Sequence, residues 1–155
     1  MPDALTSSAP DGASVILYTE EQVLLYKRDG HPMLFPHRWA IFGGGIESGE
    51  SPEQTVCREL GVELGYSLIP DDLELLGRSR VIESSHNYLV HYFRSKLNQG
   101  LWDILLNLHS VVGLEREGEG IALFSHKEVD FLHLTCQDRL ALERHFRGND
   151  FGFID

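Results

Sequence analysis

Residues 43 to 66 read GGGIESGESPEQTVCRELGVELGY: three glycines in a row, an acidic turn, then a helical pattern. The glycines carry no Cβ, so whatever approaches this segment meets bare backbone carbonyls and amides. The helix that follows has both ends marked. Ser51 is an N-cap, Pro52 suits the first helical position, and Glu53 lies at the positive end of the helix dipole. Val56, Leu60 and Leu64 recur every four residues and form one apolar stripe for packing, and Gly65 is a natural C-cap. Gly61 interrupts the interior at a cost of about 1 kcal/mol relative to Ala.

The same stretch holds five acids, Glu47, Glu50, Glu53, Glu59 and Glu63, against one base, Arg58. Glu59 and Glu63 are one turn apart on the helix, separated by about 40° in direction and about 6 Å along the axis. Carboxylates so placed repel each other unless something positive lies between them. A hard divalent cation prefers oxygen ligands of this kind, with substrate phosphates completing its shell. A lone Glu pair at this spacing is best read as the solvated face of an amphipathic helix. The glycine run, the cap and the adjacent Arg58 favour a cation site instead.

The rest of the chain mixes strands and helices. Val15–Tyr18 and Val23–Tyr26 are β-branched or aromatic runs joined through Thr19–Gln22, which predicts a hairpin. Asp29–Pro32 and Pro36 break the pattern, and residues 39 to 42 (WAIF) form a short strand leading into the glycines. Leu73–Ile82 and Asn87–Phe93 read as strands, and Leu101–Leu108 fits strand or helix equally. Glu115–Gly120 is an acidic loop before a strand at Ile121–Phe124. Thr135–Arg147 is a terminal helix capped by Thr135, with Leu140, Leu142 and Phe146 as its apolar positions. Without regular βαβ alternation, this order predicts an α+β or sandwich-like fold.

Composition narrows the function classes. The 155 residues include 24 Asp+Glu and 13 Lys+Arg, a formal net charge of −11. That balance disfavours unaided binding to a nucleic acid polymer or to anionic lipid. A phosphorylated small molecule is compatible with it when a divalent cation lies between. Cys57 and Cys136 match no zinc spacing and read as small buried hydrophobes in a reducing compartment. The first ten residues, MPDALTSSAP, lack the basic and apolar regions of a secretory signal, and no apolar run reaches the length of a membrane span. The expectation is a cytoplasmic protein with no membrane association: a flexible tail over residues 1–12 and a single domain over residues 13–155.

The glycine–helix segment resembles the box of the Nudix hydrolases, G-x5-E-x7-R-E-U-x-E-E-x-G-U, where U is a bulky apolar residue. Gly44, Glu50, Arg58, Glu59, Leu60, Glu63 and Gly65 fall on it without a gap, and Tyr66 takes the last bulky place. A Trp just upstream of the glycines, and Glu117-Gly118 ahead of Leu123-Phe124-Ser125, extend the likeness. Two positions depart from it: Val62 stands where the family has the first Glu of its E-E pair, and Phe42 where a Pro is common.

The resemblance implies an α/β/α sandwich with a mixed β-sheet, and Mg2+-dependent hydrolysis of a pyrophosphate bond in a nucleoside diphosphate linked to another moiety, with Mn2+ as a substitute ion. The substrate classes are nucleotide sugars, dinucleotides and nucleoside triphosphates. Glu59 is the expected metal ligand and base, and Glu63 and the Gly43 carbonyl are further ligands. Glu117 is the distal ligand, with Glu115 and Glu119 as its competitors. Arg58 joins the catalytic group, more as an ion-pair partner of Glu50 that steadies the loop than as a substrate contact. Gly44, Gly45 and Arg28 are the substrate-binding candidates, with Lys27 beside them. Phe35 and Trp39 are candidates for stacking on a base, core packing being the expected job of Trp39. His86 and His91 face opposite sides of a strand and are assigned no role. A homodimer is implied by resemblance alone. Val62 motivates a reading of a different class, a catalytically weak ligand-sensing or interaction domain on the same fold.

Overall fold

The computed structural model describes residues 10–27, 38–83, 86–100, 103 and 120–148. The expected hairpin is present: strand β1 (Gly12–Tyr18) and β2 (Gln22–Lys27) pair antiparallel, Leu17 opposite Leu24. The segment at residues 39–42 is not one strand but two. Strand β3 (Trp39–Ala40) pairs with β2, and β4 (Phe42–Gly45) pairs with β1. Ile41 is the point where the chain leaves one neighbour for the other, and the glycines themselves are ladder residues. Helix α1 (Pro52–Leu64) follows, with every expected end signal in place. Ser51 accepts from the Gln54 amide in a reciprocal capping box, and Gly65 closes the helix at φ 67°.

A short 3-10 turn (Pro70–Asp72) leads into β5 (Glu74–Glu83), which runs antiparallel to β6 (His86–Lys96) with a bulge between Leu75 and Gly77. β6 lies parallel to β1, from Gly12 opposite Val90 to Tyr18 opposite Lys96. β7 (Gly120–Ser125) returns to pair antiparallel with β2. A four-residue helix not expected from the sequence, α2 (His126–Val129), starts at once, because Ser125 and Glu128 form a second capping box. The terminal helix α3 (Cys136–Arg147) is capped by Thr135 as expected. Leu142 is buried, but the other buried position is Ala141, while Leu140 and Phe146 are half-buried. Leu101–Leu108, apart from residue 103, and residues 115–119 lie outside the described residues.

The strands form one mixed sheet with a separate core on each face. Side chains alternate across a strand. Ala13, Val15 and Leu17 of β1 therefore join Phe42, Phe93 and the α1 stripe of Val56, Leu60 and Leu64. Ile16, between them, joins Ile41, Tyr92, Val129 and the α3 residues Ala141 and Leu142. This is the expected α/β/α sandwich. Phe42, the departure from the common Pro, is 2% exposed and packs beside the Tyr26 ring at 5.1 Å. Trp39 packs edge-on against Phe124 at 4.8 Å, in keeping with a core role. The cysteines do not follow expectation: Cys57 is half-buried against the α1 core, and Cys136 is exposed because it sits in the first turn of α3, outside the stripe that packs.

Candidate active site

The glycine strand β4 lies between two different environments, and alternation assigns one glycine to each. Gly44 faces α1: a Cβ there would stand 2.5 Å from Glu59 Oε2. Gly43 faces the other side, where a Cβ would run into the Ala13 carbonyl oxygen and the Ser14 hydroxyl. Both glycines are thus required by close approach rather than by unusual torsions. Gly45 ends the strand, and its carbonyl accepts from Arg58 Nη2 at 3.0 Å.

Arg58 ties the acidic turn to the helix. Its Nε donates to Glu50 Oε2 at 2.6 Å, its Nη2 to Glu50 Oε1 at 3.1 Å, and its Nη1 to Glu59 Oε2 at 2.9 Å, with Glu47 Oε2 at 3.6 Å. The Glu50 carboxylate also accepts from the Glu47 amide at 3.0 Å and from the buried Thr55 hydroxyl at 2.7 Å. The Arg58 guanidinium first, then the Glu47 amide and the Thr55 hydroxyl, hold the Glu50 carboxyl down at about 2. The expected Glu50–Arg58 pair is therefore present, with its guanidinium spent on structure. Thr55 and Glu47 are partners that sequence reasoning missed. Thr55 lies five residues after Glu50 in the first turn of α1, the signal that would have found it.

Glu59 is half-buried against the glycine strand, and Glu63 follows one turn later. Glu63 is exposed as a residue, yet protein crowded around its carboxyl, with the Glu59 charge as the second cause, pushes it up to about 7. Among the described residues, Arg58 pairs with Glu59 and no ion pair reaches Glu63. Val62 is 76% exposed and turns into solvent beside the pair. Among the described residues, no three His, Cys, Asp or Glu side chains gather into a metal site. The donors present are hard oxygens, two carboxylates with the backbone of a side-chain-free strand beside them, and they fit a Mg2+-type ion whose remaining ligands come from substrate or water. Glu117, Glu115, Glu119, Arg28 and Phe35 lie outside the described residues. Lys27 ends β2, opposite Trp39 and Gly120.

On the opposite face of β4 lies a cleft of about 310 Å3, bounded by Gly43–Gly45, by Tyr88 and Tyr92 of β6, and by Gln137 and Asp138 at the start of α3. No Lys, Arg or His is among its described lining residues. None of these cleft residues beyond the glycines was singled out from sequence. They come from segments far apart in the chain, brought together only by the pairing of β6 with β1 and the docking of α3.

The NUDIX domain family matches residues 9–141, most of the chain, and the protein belongs to that family. It is 29% identical over 124 residues to the RNA pyrophosphohydrolase of Pseudoalteromonas translucida, a match covering 80% of this chain and 55% of that protein. The chain spans about half the length of the curated relatives it matches. Its fold is that of the NUDIX hydrolase from Nitrosomonas europaea, with a TM-score of 0.67 at 19% identity, covering 94% of this chain and 93% of the other. It is equally that of Shewanella oneidensis NrtR, solved with a 27mer DNA, at a TM-score of 0.65 and 20% identity over 88% of this chain and 61% of NrtR. Nudix hydrolases in general use a divalent metal.

Proposed function

We propose that this chain hydrolyses a pyrophosphate bond in a nucleoside diphosphate linked to another moiety, with Mg2+ as its ion and Mn2+ as a substitute. The observation that carries this reading is the Glu59–Glu63 pair, one carboxylate against bare Gly44 and the other pushed up to about 7 by burial and by the Glu59 charge. A bound divalent cation neutralises phosphate oxygens and acidifies the attacking water. Glu59 would hold the ion and accept the proton of that water; Glu63, the Gly43 carbonyl and Glu117 would complete the ligands. Arg58 is a positioning residue: it aligns Glu59 and pins Gly45. The Gly44 and Gly45 backbone and Arg28 would receive the phosphates. The uncharged end of the substrate would enter the cleft, whose described lining offers aromatic rings and a carboxylate but no cation.

A second reading concerns the substrate. Curated relatives are named RNA pyrophosphohydrolases, which favours a 5′-triphosphorylated RNA end. The charge of −11 favours the small nucleotide, because little positive surface is left to hold a polymer. A cytoplasmic location and a homodimer belong to the same proposal, and light scattering at a monomer mass would remove the dimer.

The experiment is a panel of nucleotide sugars, dinucleotides, nucleoside triphosphates and 5′-triphosphorylated RNA, incubated with Mg2+ and analysed for phosphate-containing products. Cleavage of one class, absent in chelator, supports the proposal and names the leaving group. Ligand binding without cleavage of any class supports the weak, ligand-sensing alternative and overturns the hydrolase.

A further inference from the structure

The strand that carries Gly43 is held at both ends, and only one end is held by the glycine–helix segment. Downstream, Arg58 binds the Gly45 carbonyl, and the Ile46 amide donates to the Asp11 carbonyl at 2.8 Å. Upstream, the chain changes partner at Ile41, between Ala40, which pairs with Tyr26, and Phe42, which pairs with Val15. The Ile41 amide donates to Asp138 Oδ2 at 3.3 Å. The other oxygen, Oδ1, accepts from the Tyr92 hydroxyl at 2.9 Å. Tyr92 stands opposite Ser14 in the parallel pair, and Ser14 stands opposite Gly43 in the antiparallel one. Tyr92, Ser14 and Gly43 therefore form one row across three strands, and the Asp138 carboxylate joins one end of that row, Tyr92, to Ile41, two residues before Gly43. Asp138 is itself fixed on α3, where its amide donates to the Thr135 cap at 3.0 Å.

We infer that Asp138 is a positioning residue for the active site, setting the height of the glycine strand through Ile41 and Tyr92 so that Gly44 meets the Glu59 side of α1 in one fixed register. The inference rests on the cation-site reading above. It assigns to α3, which lies across the sheet from Glu59 and Glu63, a share in forming that site. An unmet amide at Ile41 would let the two-residue strand β3 and the start of β4 shift together, because a partly buried donor seeks another partner.

The test uses the full chain and Mn2+ alone as probe, with electron paramagnetic resonance counting the free ion, alongside kcat and KM on the substrate the panel identifies. For Asp138→Ala, Mn2+ affinity is expected to fall about fivefold and kcat about tenfold, with KM nearly unchanged. Asp138→Asn restores both to near wild type. Its amide oxygen can accept from Ile41 while its N–H donates to the Tyr92 oxygen. Tyr92→Phe gives a smaller loss that does not add to that of Asp138→Ala. A folded Asp138→Ala that binds Mn2+ and turns over like wild type overturns the inference, as does an Asn variant as impaired as the Ala one. If Asp138→Ala does not fold, Tyr92→Phe decides: unchanged Mn2+ affinity and kcat overturn it. A wild type that binds Mn2+ but cleaves nothing removes the hydrolase reading and leaves the Mn2+ affinities to judge Asp138; a wild type that binds no Mn2+ removes both.

Discussion

A Cβ on Gly44 would stand 2.5 Å from Glu59 Oε2, whereas one on Gly43, the next residue, would meet backbone. The difference separates function from folding at adjacent positions. Gly44→Ala is expected to fold, since a side-chain end can swing away, but to displace Glu59 and cost about a hundredfold or more in turnover. Gly43→Ala presses on the β1 backbone and is expected to lower the melting temperature sharply. Circular dichroism melts and turnover of the two variants check this; equal melting temperatures would contradict it.

Glu63 supplies a pH signature. Its carboxyl is raised to about 7, so the metal-free fold is favoured while it stays protonated. That stability is present below the ordinary carboxylate range, near 4.5, and is lost as pH rises through about 7. Metal-free protein is expected to melt lower at pH 8 than at pH 5, with Mg2+ raising the melting temperature more at pH 8. Glu63→Gln should flatten both trends in calorimetry.

Glu50 works in the opposite sense. Held at about 2 chiefly by Arg58, it contributes stability above the ordinary carboxylate range, near 4.5, that is lost progressively as pH falls from there through about 2. Glu50→Gln is expected to be less stable than wild type at pH 6 and equal to it near pH 2. Urea titrations across this range would show the two curves converging.

Gly61 sits in the α1 interior, exposed, with nothing within 4 Å of the place a Cβ would occupy. Gly61→Ala is expected to add about 1 kcal/mol and raise the melting temperature by roughly 2–4 °C. A melt that does not rise would mean the position is restrained by something other than helix propensity.

Local signals were the legible part of this chain. The ends of α1 and α3, the first hairpin and the Glu50–Arg58 pair could be read from sequence because each depends on residues a few places apart. Ser51, Gly65 and Thr135 declare caps within one turn. The break at Ile41 could not be read, since it exists only because β2 and β1 pull successive residues to different partners. Likewise the cleft required Tyr92 to meet Asp138 across 46 residues, a contact set by strand pairing and helix docking rather than by any local pattern. The short helix α2 was readable in principle from Ser125 and Glu128, a cap pattern at the end of an apolar strand. Exposure of Cys136 follows from its place in the first turn of α3, which a sequence-only view of cysteine as a buried residue overlooks.

The most direct test of the central claim is product release in Mg2+ by wild type and by Glu59→Gln, a change that keeps the size of the side chain and removes its charge and basicity. The account predicts metal-dependent release of a nucleoside phosphate by wild type, lost in chelator, and a fall of about a hundredfold or more in the variant at equal folded concentration. Equal rates for the two proteins, or release that persists without a divalent cation, would contradict it.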